Sequence, residues 1–231
     1  MQIKGLQKLA MVDFPGKLAA TVFTGGCNLR CPFCHNALLV NRLEENPESY
    51  SVEEVLSFLE RRRGFLDGLV LSGGEPLMQR GAADFLKQVK ELGFAVKLDT
   101  NGCYPEALEE VLNRNLVDYV AMDIKNCRDK YGETVGIPHF DLTPVEKSVQ
   151  LLRESGVDFE FRTTIVKEFH TARDLRAIGE WLAGSPRYFL QRFIDPGSLV
   201  GQGCTSPEPL ELQGFAEIAK PFFGLVELRG V

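Results

Sequence analysis

Short apolar segments alternate with amphipathic ones from about residue 19 to the end of the printed chain. The apolar segments are rich in Val, Ile, Leu and Phe, a composition typical of strands that are covered on both faces. We predict strands at residues 19–23, 68–71, 95–99, 119–124, 159–166, 188–193 and 225–228. Because strands and helices alternate, we expect parallel βαβ units with right-handed crossovers. About six such units predict an α/β fold of the TIM-barrel type, as a partial, open barrel with parallel strands.

Six helices are predicted between these strands. They are expected at residues 51–63, 81–92, 105–114, 143–155, 171–183 and 209–219. Ser51 and Glu54 have the spacing of a capping box, which marks a helix N-terminus. Thr143 is followed by a proline at the first helical position, another start signal. The sequence contains no internal repeat, low-complexity segment or linker, so we expect one domain over residues 1–231.

Composition excludes several classes of function. Of the 231 residues, 44% are hydrophobic and 25% are charged, which is ordinary for a globular protein. No apolar run reaches eighteen residues, so we expect no membrane span. The first residues lack the apolar stretch of a secretory signal, and we therefore expect a cytoplasmic protein. The net charge is −6 without a long basic run, so nucleic-acid binding is not expected.

Three of the six cysteines lie in one loop after the first predicted strand. Cys27, Cys31 and Cys34 are separated by three and then two residues. Three thiolates would leave one iron of a [4Fe–4S] cluster without a protein ligand, and an open iron can bind a substrate. The alternative is a structural zinc site that adds His35, but the adjacent Cys34 and His35 would have difficulty reaching one tetrahedral ion.

The other three cysteines and two of the histidines carry weaker signals. Cys103, Cys127 and Cys204 are scattered along the chain and match no metal motif, so we interpret them as free thiols or packing residues. A contact between one of these thiols and a partner protein is the alternative. His139 and His170 lie in predicted loops and are expected at the surface.

Polar residues follow several predicted strands, at the edge where parallel α/β folds bind ligands. These candidates are Gly73, Gly74, Glu75, Asp99, Thr100, Asp123 and Lys125. Glycines allow the backbone to approach a ligand closely, and a carboxylate can bind a cation. Two structural alternatives stay open: the glycines could form only a turn, and the aspartates could belong to structural ion pairs, since a buried carboxylate needs a partner.

The cysteine loop resembles that of the radical S-adenosylmethionine (SAM) superfamily. That family has the pattern CxxxCxΦC with an aromatic residue at Φ, which is Phe33 here. Residues 73–76 resemble its GGEP motif, which binds the amino group of SAM. Residues 99–102 and 123–125 resemble the DTNG and DxK segments of glycyl-radical-enzyme activases, which border the methionyl group of SAM, sometimes with a monovalent cation between carboxylates.

The same resemblance implies further contacts with SAM. Arg162 would meet the SAM carboxylate, a role that suits a bidentate guanidinium. We assign His35 to packing near the adenine and Gln191 to a ribose contact, with Phe33 in the same cofactor-binding set. The implied cofactors are therefore a [4Fe–4S] cluster on the three cysteines, SAM, and a possible monovalent cation.

The N-terminal segment narrows the resemblance. Residues 12–17 and 23–27 are similar to the DGPG-R…FxxGC opening of activases. The Phe14-Pro15 variant, with Cys-His-Asn at residues 34–36, is similar to the group that acts on anaerobic ribonucleoside-triphosphate reductase. Lys17 stands where pyruvate formate-lyase activases usually carry Arg, which leaves the role of that position open. No ferredoxin-like insertion with extra cysteine groups is present.

The resemblance implies an enzyme that reductively cleaves SAM to a 5′-deoxyadenosyl radical and generates a glycyl radical on a partner enzyme. A flavodoxin- or ferredoxin-type protein would supply the electron. Three alternatives remain: an activase of another glycyl-radical enzyme, a radical SAM enzyme that acts on a small molecule, like 7-carboxy-7-deazaguanine synthase, and a non-enzyme that is a metal-stabilised scaffold or an electron carrier.

Overall fold

In the part of the chain that the structure describes, eight strands form one sheet whose spatial order follows the chain, from β1 to β8. The structure is a computed structural model that describes residues 1–195 and 197–230. The strands are β1 (Ile3–Ala10), β2 (Ala19–Thr24), β3 (Gly68–Gly73), β4 (Ala95–Thr100), β5 (Tyr119–Asp123), β6 (Asp158–Ile165), β7 (Arg187–Arg192) and β8 (Leu225–Arg229). The order ends at β1 and at β8, so the sheet is open. All seven predicted strands and the open α/β architecture are confirmed.

The six predicted helices are also present, with ends that differ by up to three residues. The helices are α1 (Ala37–Val40), α2 (Val52–Glu60), α3 (Ala82–Glu91), α4 (Pro105–Asn113), α5 (Tyr131–Thr134), α6 (Thr143–Glu154), α7 (Ala172–Leu182) and α8 (Pro209–Ala219). Single 3₁₀ turns lie at Leu43–Glu45, Pro76–Met78, Arg128–Lys130 and Lys220–Phe222. The capping box at α2 is formed in both directions, by Ser51 and Glu54. The four-residue helices α1 and α5 were not predicted.

Strand β1 is the strand that the sequence interpretation missed. It pairs antiparallel with β2, whereas the pairs β2–β3, β3–β4, β6–β7 and β7–β8 are parallel. Its residues alternate between buried and partly exposed at first, and then three successive residues are exposed. Such a half-solvated edge strand lacks the continuous apolar run that marks a strand with two covered faces.

The chain divides into two compact units. Unit 1 contains Met1–Asn28, Leu38–Ala121 and Pro144–Asp158. One of its core clusters joins Phe14, Ala19, Val70 and Tyr119, with the rings of Phe14 and Tyr119 6.2 Å apart. Burial of these side chains anchors the loop before β2 on the parallel strands of this unit.

Unit 2 contains Leu29–Ala37, Met122–Thr143 and Phe159–Val231. The ring of Tyr188 on β7 stacks on Phe223 at 4.6 Å, and its hydroxyl donates to Thr163 Oγ1 at 2.7 Å. Burial raises the pKa of this phenol. Within the residues that the structure describes, we find no helix with the length and hydropathy that a membrane span requires. The prediction of a single domain over residues 1–231 stays a prediction.

Candidate active site

The first half of the cysteine loop belongs to unit 1 and is held by hydrogen bonds to the backbone of neighbouring segments. Gly26 N donates to Leu39 O at 2.6 Å, and Gly26 O accepts from Glu75 N at 2.8 Å. A Cβ on Gly74 would lie 1.9 Å from Gly26 O, so only glycine permits this approach. The backbone of Gly73 has φ +123°, and a Cβ there would lie 2.2 Å from Thr24 N. The two glycines therefore pack against the segment that leads into Cys27.

Glu75 is a fully buried carboxylate with three donors from its own unit. Its Oε1 accepts from Leu77 N at 3.0 Å and from Thr100 Oγ1 at 2.8 Å, and its Oε2 accepts from Asn101 N at 2.7 Å. Charge-assisted bonds of this kind offset the cost of burying the carboxylate. Glu75 thus joins the loop after β3 to the loop after β4. Contact between Glu75 and SAM stays a prediction.

Asp99, at the end of β4, forms an ion pair with Lys97, whose side chain is 2% exposed. It also accepts from Ser72 Oγ at 3.2 Å. The structural alternative for this aspartate, an ion pair, is therefore present in unit 1. About 17% of its side chain is exposed, and its place beside the SAM methionyl group stays a prediction.

Asn101 is a buried residue of this site that sequence reasoning did not single out. Its Nδ2 lies 3.7 Å from Cys27 Sγ and donates to Asn28 Oδ1 at 2.9 Å. Its Oδ1 accepts from Cys103 N at 2.9 Å. Its position within the DTNG-like segment was the one sequence signal that could have identified Asn101 as a site residue. However, a short polar residue after a strand is commonly a turn residue, and the side-chain contact spans 74 positions in sequence.

The second half of the cysteine loop lies in unit 2. Cys34 N donates to Cys31 O at 3.1 Å, which closes a tight turn between the two cysteines. Two later backbone groups pair with the same turn: Gly201 N donates to Pro32 O at 2.8 Å and Val200 N to Cys34 O at 3.3 Å. The segment around residue 200 therefore braces the turn that carries both thiols.

Two aromatic candidates flank this turn. Phe33 is buried and its ring centroid lies 5.9 Å from that of Phe169. The ring of His35 is 5.5 Å from that of Phe193. Burial lowers the pKa of His35, which favours the neutral form of the imidazole. A neutral ring against Phe193 agrees in character with a packing role, but its contact with adenine stays a prediction.

Asp123, Lys125 and Arg162 form a charged cluster in unit 2. The Asp123 carboxylate accepts from Lys125 Nζ at 3.0 Å and from Arg162 Nε at 2.9 Å. Burial alone would raise the pKa of Asp123, but the two cations lower the pKa to about 2. Burial acts against the charged form of Lys125 too, yet its acidic neighbours raise its pKa above the usual range. Those neighbours are Asp123 and the sulfurs of Cys31 and Cys34, which places Lys125 near both thiols.

His170 corrects one sequence expectation. It is 2% exposed, not a surface residue, and its Nε2 lies 2.9 Å from Lys125 O. Its Nδ1 lies 3.1 Å from Val166 N. Burial lowers the pKa of this imidazole. The histidine satisfies backbone groups in the loops that follow β5 and β6, a role that no local pattern indicates. His139 is exposed as expected.

The donor chemistry fits the predicted cluster. None of the six cysteines, all of which the structure describes, forms a disulfide. Over residues 1–195 and 197–230, no three His, Cys, Asp or Glu side chains are already arranged to hold a metal ion. Ligation by Cys27, Cys31 and Cys34 therefore stays a prediction, as does the contact of Gln191, a half-buried residue of β7.

Comparison with known proteins decides the family. Residues 21–182 match the Radical SAM superfamily. The chain belongs to this superfamily. Members use a [4Fe–4S] cluster and SAM, so these two predicted cofactors are confirmed for this radical SAM protein at the level of its family. The monovalent cation stays a prediction.

The relatives also bear out the predicted activase group. The chain is 33% identical over 235 residues to a Methanocaldococcus jannaschii protein, provisionally named as a glycyl-radical enzyme activating enzyme, with 99% of this chain and 96% of the relative covered. It is 35% identical to a pyruvate formate-lyase-activating enzyme of Clostridium pasteurianum, over 55% of this chain and 54% of that one. These similarities place the radical SAM protein with the activating enzymes, as an enzyme.

Solved structures confirm the fold. Streptococcus suis SuiB bound to S-adenosylmethionine has a TM-score of 0.70 at 14% identity, over 91% of this chain and 52% of that one. The anSMEcpe structure with bound AdoMet has a TM-score of 0.63 at 19% identity, over 86% of this chain and 58% of that one. The radical SAM protein thus spans about half the length of these structures and shares their fold.

Proposed function

We propose that this radical SAM protein activates a glycyl-radical enzyme. The observation that carries the proposal is its similarity, over nearly the full length of both chains, to a protein named as an activating enzyme of that kind. The cysteines of the loop, which form no disulfide, and the polar groups that follow β3, β4 and β5 support it.

In this proposal Cys27, Cys31 and Cys34 ligate three irons of the cluster, and the fourth iron stays open to SAM. When bound, the cluster and SAM supply the electron and the 5′-deoxyadenosyl radical that removes hydrogen from a glycine of the partner. The chain's share is to bind and orient SAM and to exclude water from it. The proposed SAM contacts are Phe33, His35, Gly73, Gly74, Glu75, Asp99, Thr100, Asp123, Lys125, Arg162 and Gln191. A monovalent cation beside the aspartates belongs to the same proposal.

The proposed partner is anaerobic ribonucleoside-triphosphate reductase, on the strength of Phe14-Pro15 and the Cys-His-Asn segment. Pyruvate formate-lyase is the second candidate, because relatives of this chain are named as its activating enzymes. We propose a flavodoxin- or ferredoxin-type electron donor. A reducing, cytoplasmic location suits a chain whose six cysteines form no disulfide.

The first experiment is anaerobic reconstitution with iron and sulfide, reduction with dithionite, and EPR spectroscopy with and without SAM. We expect a [4Fe–4S]⁺ signal that shifts when SAM is added, because the open iron gains a ligand. Cys31→Ala should abolish cluster and SAM cleavage together. Cys204→Ala, the same chemical change outside the loop, should keep both.

The second step adds each candidate partner and looks for a glycyl-radical signal. A signal with the ribonucleotide reductase alone supports the proposed partner, whereas a signal with pyruvate formate-lyase alone replaces it. A cluster that is indifferent to SAM, or iron retained fully in Cys31→Ala, would contradict the site assignment.

A further inference from the structure

Asn101 touches the one predicted cluster ligand of unit 1. Its side chain is 5% exposed, and its Nδ2 lies 3.7 Å from Cys27 Sγ, a hydrogen-bond distance for the large sulfur atom. None of the proposed cofactor contacts includes this residue. The question is therefore whether the contact has a consequence for the cluster or only fills space.

The orientation of the carboxamide follows from its other partners. Oxygen and nitrogen of an amide are distinguished by the hydrogen bonds they make. Cys103 N–H donates to Asn101 Oδ1 at 2.9 Å, so this end of the amide is the oxygen. The opposite end is the NH₂ group, with one hydrogen for Asn28 Oδ1 at 2.9 Å and a second for the Cys27 sulfur.

The contact gains importance when Cys27 loses its proton. As a thiol, Cys27 Sγ can itself donate, and Asn28 Oδ1 lies 3.9 Å away as an acceptor. As a thiolate ligand it can only accept, and metal binding requires the thiolate. The amide hydrogen of Asn101 then faces a negative sulfur, and such charge-assisted bonds are the stronger ones.

The backbone holds this donor in place. Asn101 N donates to Glu75 Oε2 at 2.7 Å, and the carboxylate of Glu75 is fully buried. The residue is thus fixed both at its backbone and at its side-chain oxygen, so the amide cannot turn away without losing bonds. Groups of this kind around a metal centre set its electronic properties.

We propose that Asn101 is a positioning residue that donates a hydrogen bond to the Cys27 thiolate and thereby raises the reduction potential of the cluster. One electron added to the cluster adds one negative charge, and a donor at a sulfur ligand stabilises the more negative, reduced form. The inference rests on the proposed function, because it assumes a cluster on Cys27.

The test is an EPR-monitored redox titration of the reconstituted protein without SAM. Asn101→Ala removes the donor and stays neutral. We expect the ratio of reduced to oxidised cluster at a fixed potential to fall about tenfold, the effect of one hydrogen bond, which corresponds to ~59 mV for one electron. Asn101→Asp keeps the side-chain volume but places an oxygen, instead of the N–H donor, beside the sulfur. The reduction potential of the cluster should therefore fall further in this variant.

A charge-matched control separates the hydrogen bond from the added charge. Asn113→Asp makes the same change at an exposed position at the end of α4, where solvent screens the charge, and should leave the potential unchanged. Thermal unfolding of the apo-proteins shows whether each variant folds.

The outcomes distinguish this inference from the function on which it rests. A wild-type protein that takes up no cluster refutes both. A wild-type cluster with a normal SAM response, together with unchanged potentials in both Asn101 variants, refutes the inference alone. Folded Asn101 variants that bind less than half of the wild-type iron also overturn it, because the proposed role is tuning and not assembly.

Discussion

Glu75→Gln tests whether the buried carboxylate is needed by the fold itself, in the absence of SAM. The amide oxygen of glutamine can replace Oε1 and keep the donors Leu77 N and Thr100 Oγ1. Its NH₂ group then faces Asn101 N–H, so one buried donor loses its acceptor. That loss costs ~1–3 kcal/mol, and weakening two charge-assisted bonds adds ~1 kcal/mol. We expect the free energy of unfolding to fall by about 3 kcal/mol.

The assay is urea unfolding of the apo-protein, monitored by circular dichroism. In thermal unfolding of a chain of this size, the same loss of about 3 kcal/mol corresponds to a fall in Tm of roughly 6–12 °C. Glu53→Gln is the matched control, because Glu53 is exposed in the first turn of α2 and should change stability by less than ~0.5 kcal/mol. An apo Glu75→Gln protein as stable as the wild type would refute the reasoning and leave SAM binding as the reason for this carboxylate.

Two further predictions concern charges in unit 2. Because the pKa of Asp123 is lowered to about 2 by its cationic partners, its stabilising effect is complete above pH ~4 and is lost as the pH falls through ~2. Between pH ~4 and ~2, the free energy of unfolding of the wild type, measured by urea unfolding at each pH, should therefore fall by about 2 kcal/mol more than that of Asp123→Asn. The same pH dependence in both proteins would contradict the assignment. Arg229 donates to the fully buried Glu160 at 2.7 and 3.0 Å, so Arg229→Met should cost about 2–4 kcal/mol in urea unfolding. Adding Glu160→Gln to Arg229→Met should restore more than half of that loss, and no recovery in the double variant would show that the ion pair is not the cause. The control Lys220→Met, in an exposed ion pair, should cost less than ~0.5 kcal/mol.

The sequence predicts this fold well because its signals are local. A fully covered strand needs a continuous apolar run, and the starts of helices need caps, so β2 to β8 and the six longer helices follow from short windows. Strand β1 escapes because it alternates as an edge strand and has three successive exposed residues before its last, buried residue. Its pairing with β2 depends on partners 9 to 21 residues away, which no short window contains.

The site is predicted in its residue types but not in its contacts. Motif spacing brings out Glu75 and Asp123 as candidates; Asp123 is the last residue of β5, and Glu75 lies two residues after the end of β3. Spacing does not indicate which partners satisfy them: three donors for Glu75, two cations for Asp123. Asn101 and His170 were missed or misplaced for the same reason, since their roles depend on neighbours distant in sequence.

The Gly-Gly-Glu segment shows why a motif alone does not separate ligand binding from support of a ligand. A side chain on Gly74 would strike Gly26 O, one residue before Cys27, so the glycine is required by chain packing whether or not SAM lies nearby. Glu75 is also held by hydrogen bonds: its backbone N–H donates to Gly26 O, and its carboxylate accepts from Leu77 N and Asn101 N. A side chain on Gly74 would displace the start of the cysteine loop, so a loss of SAM cleavage would follow from either role. Only a measurement on the apo-protein distinguishes them, because the supporting role lowers stability without SAM and a purely ligand-binding role does not.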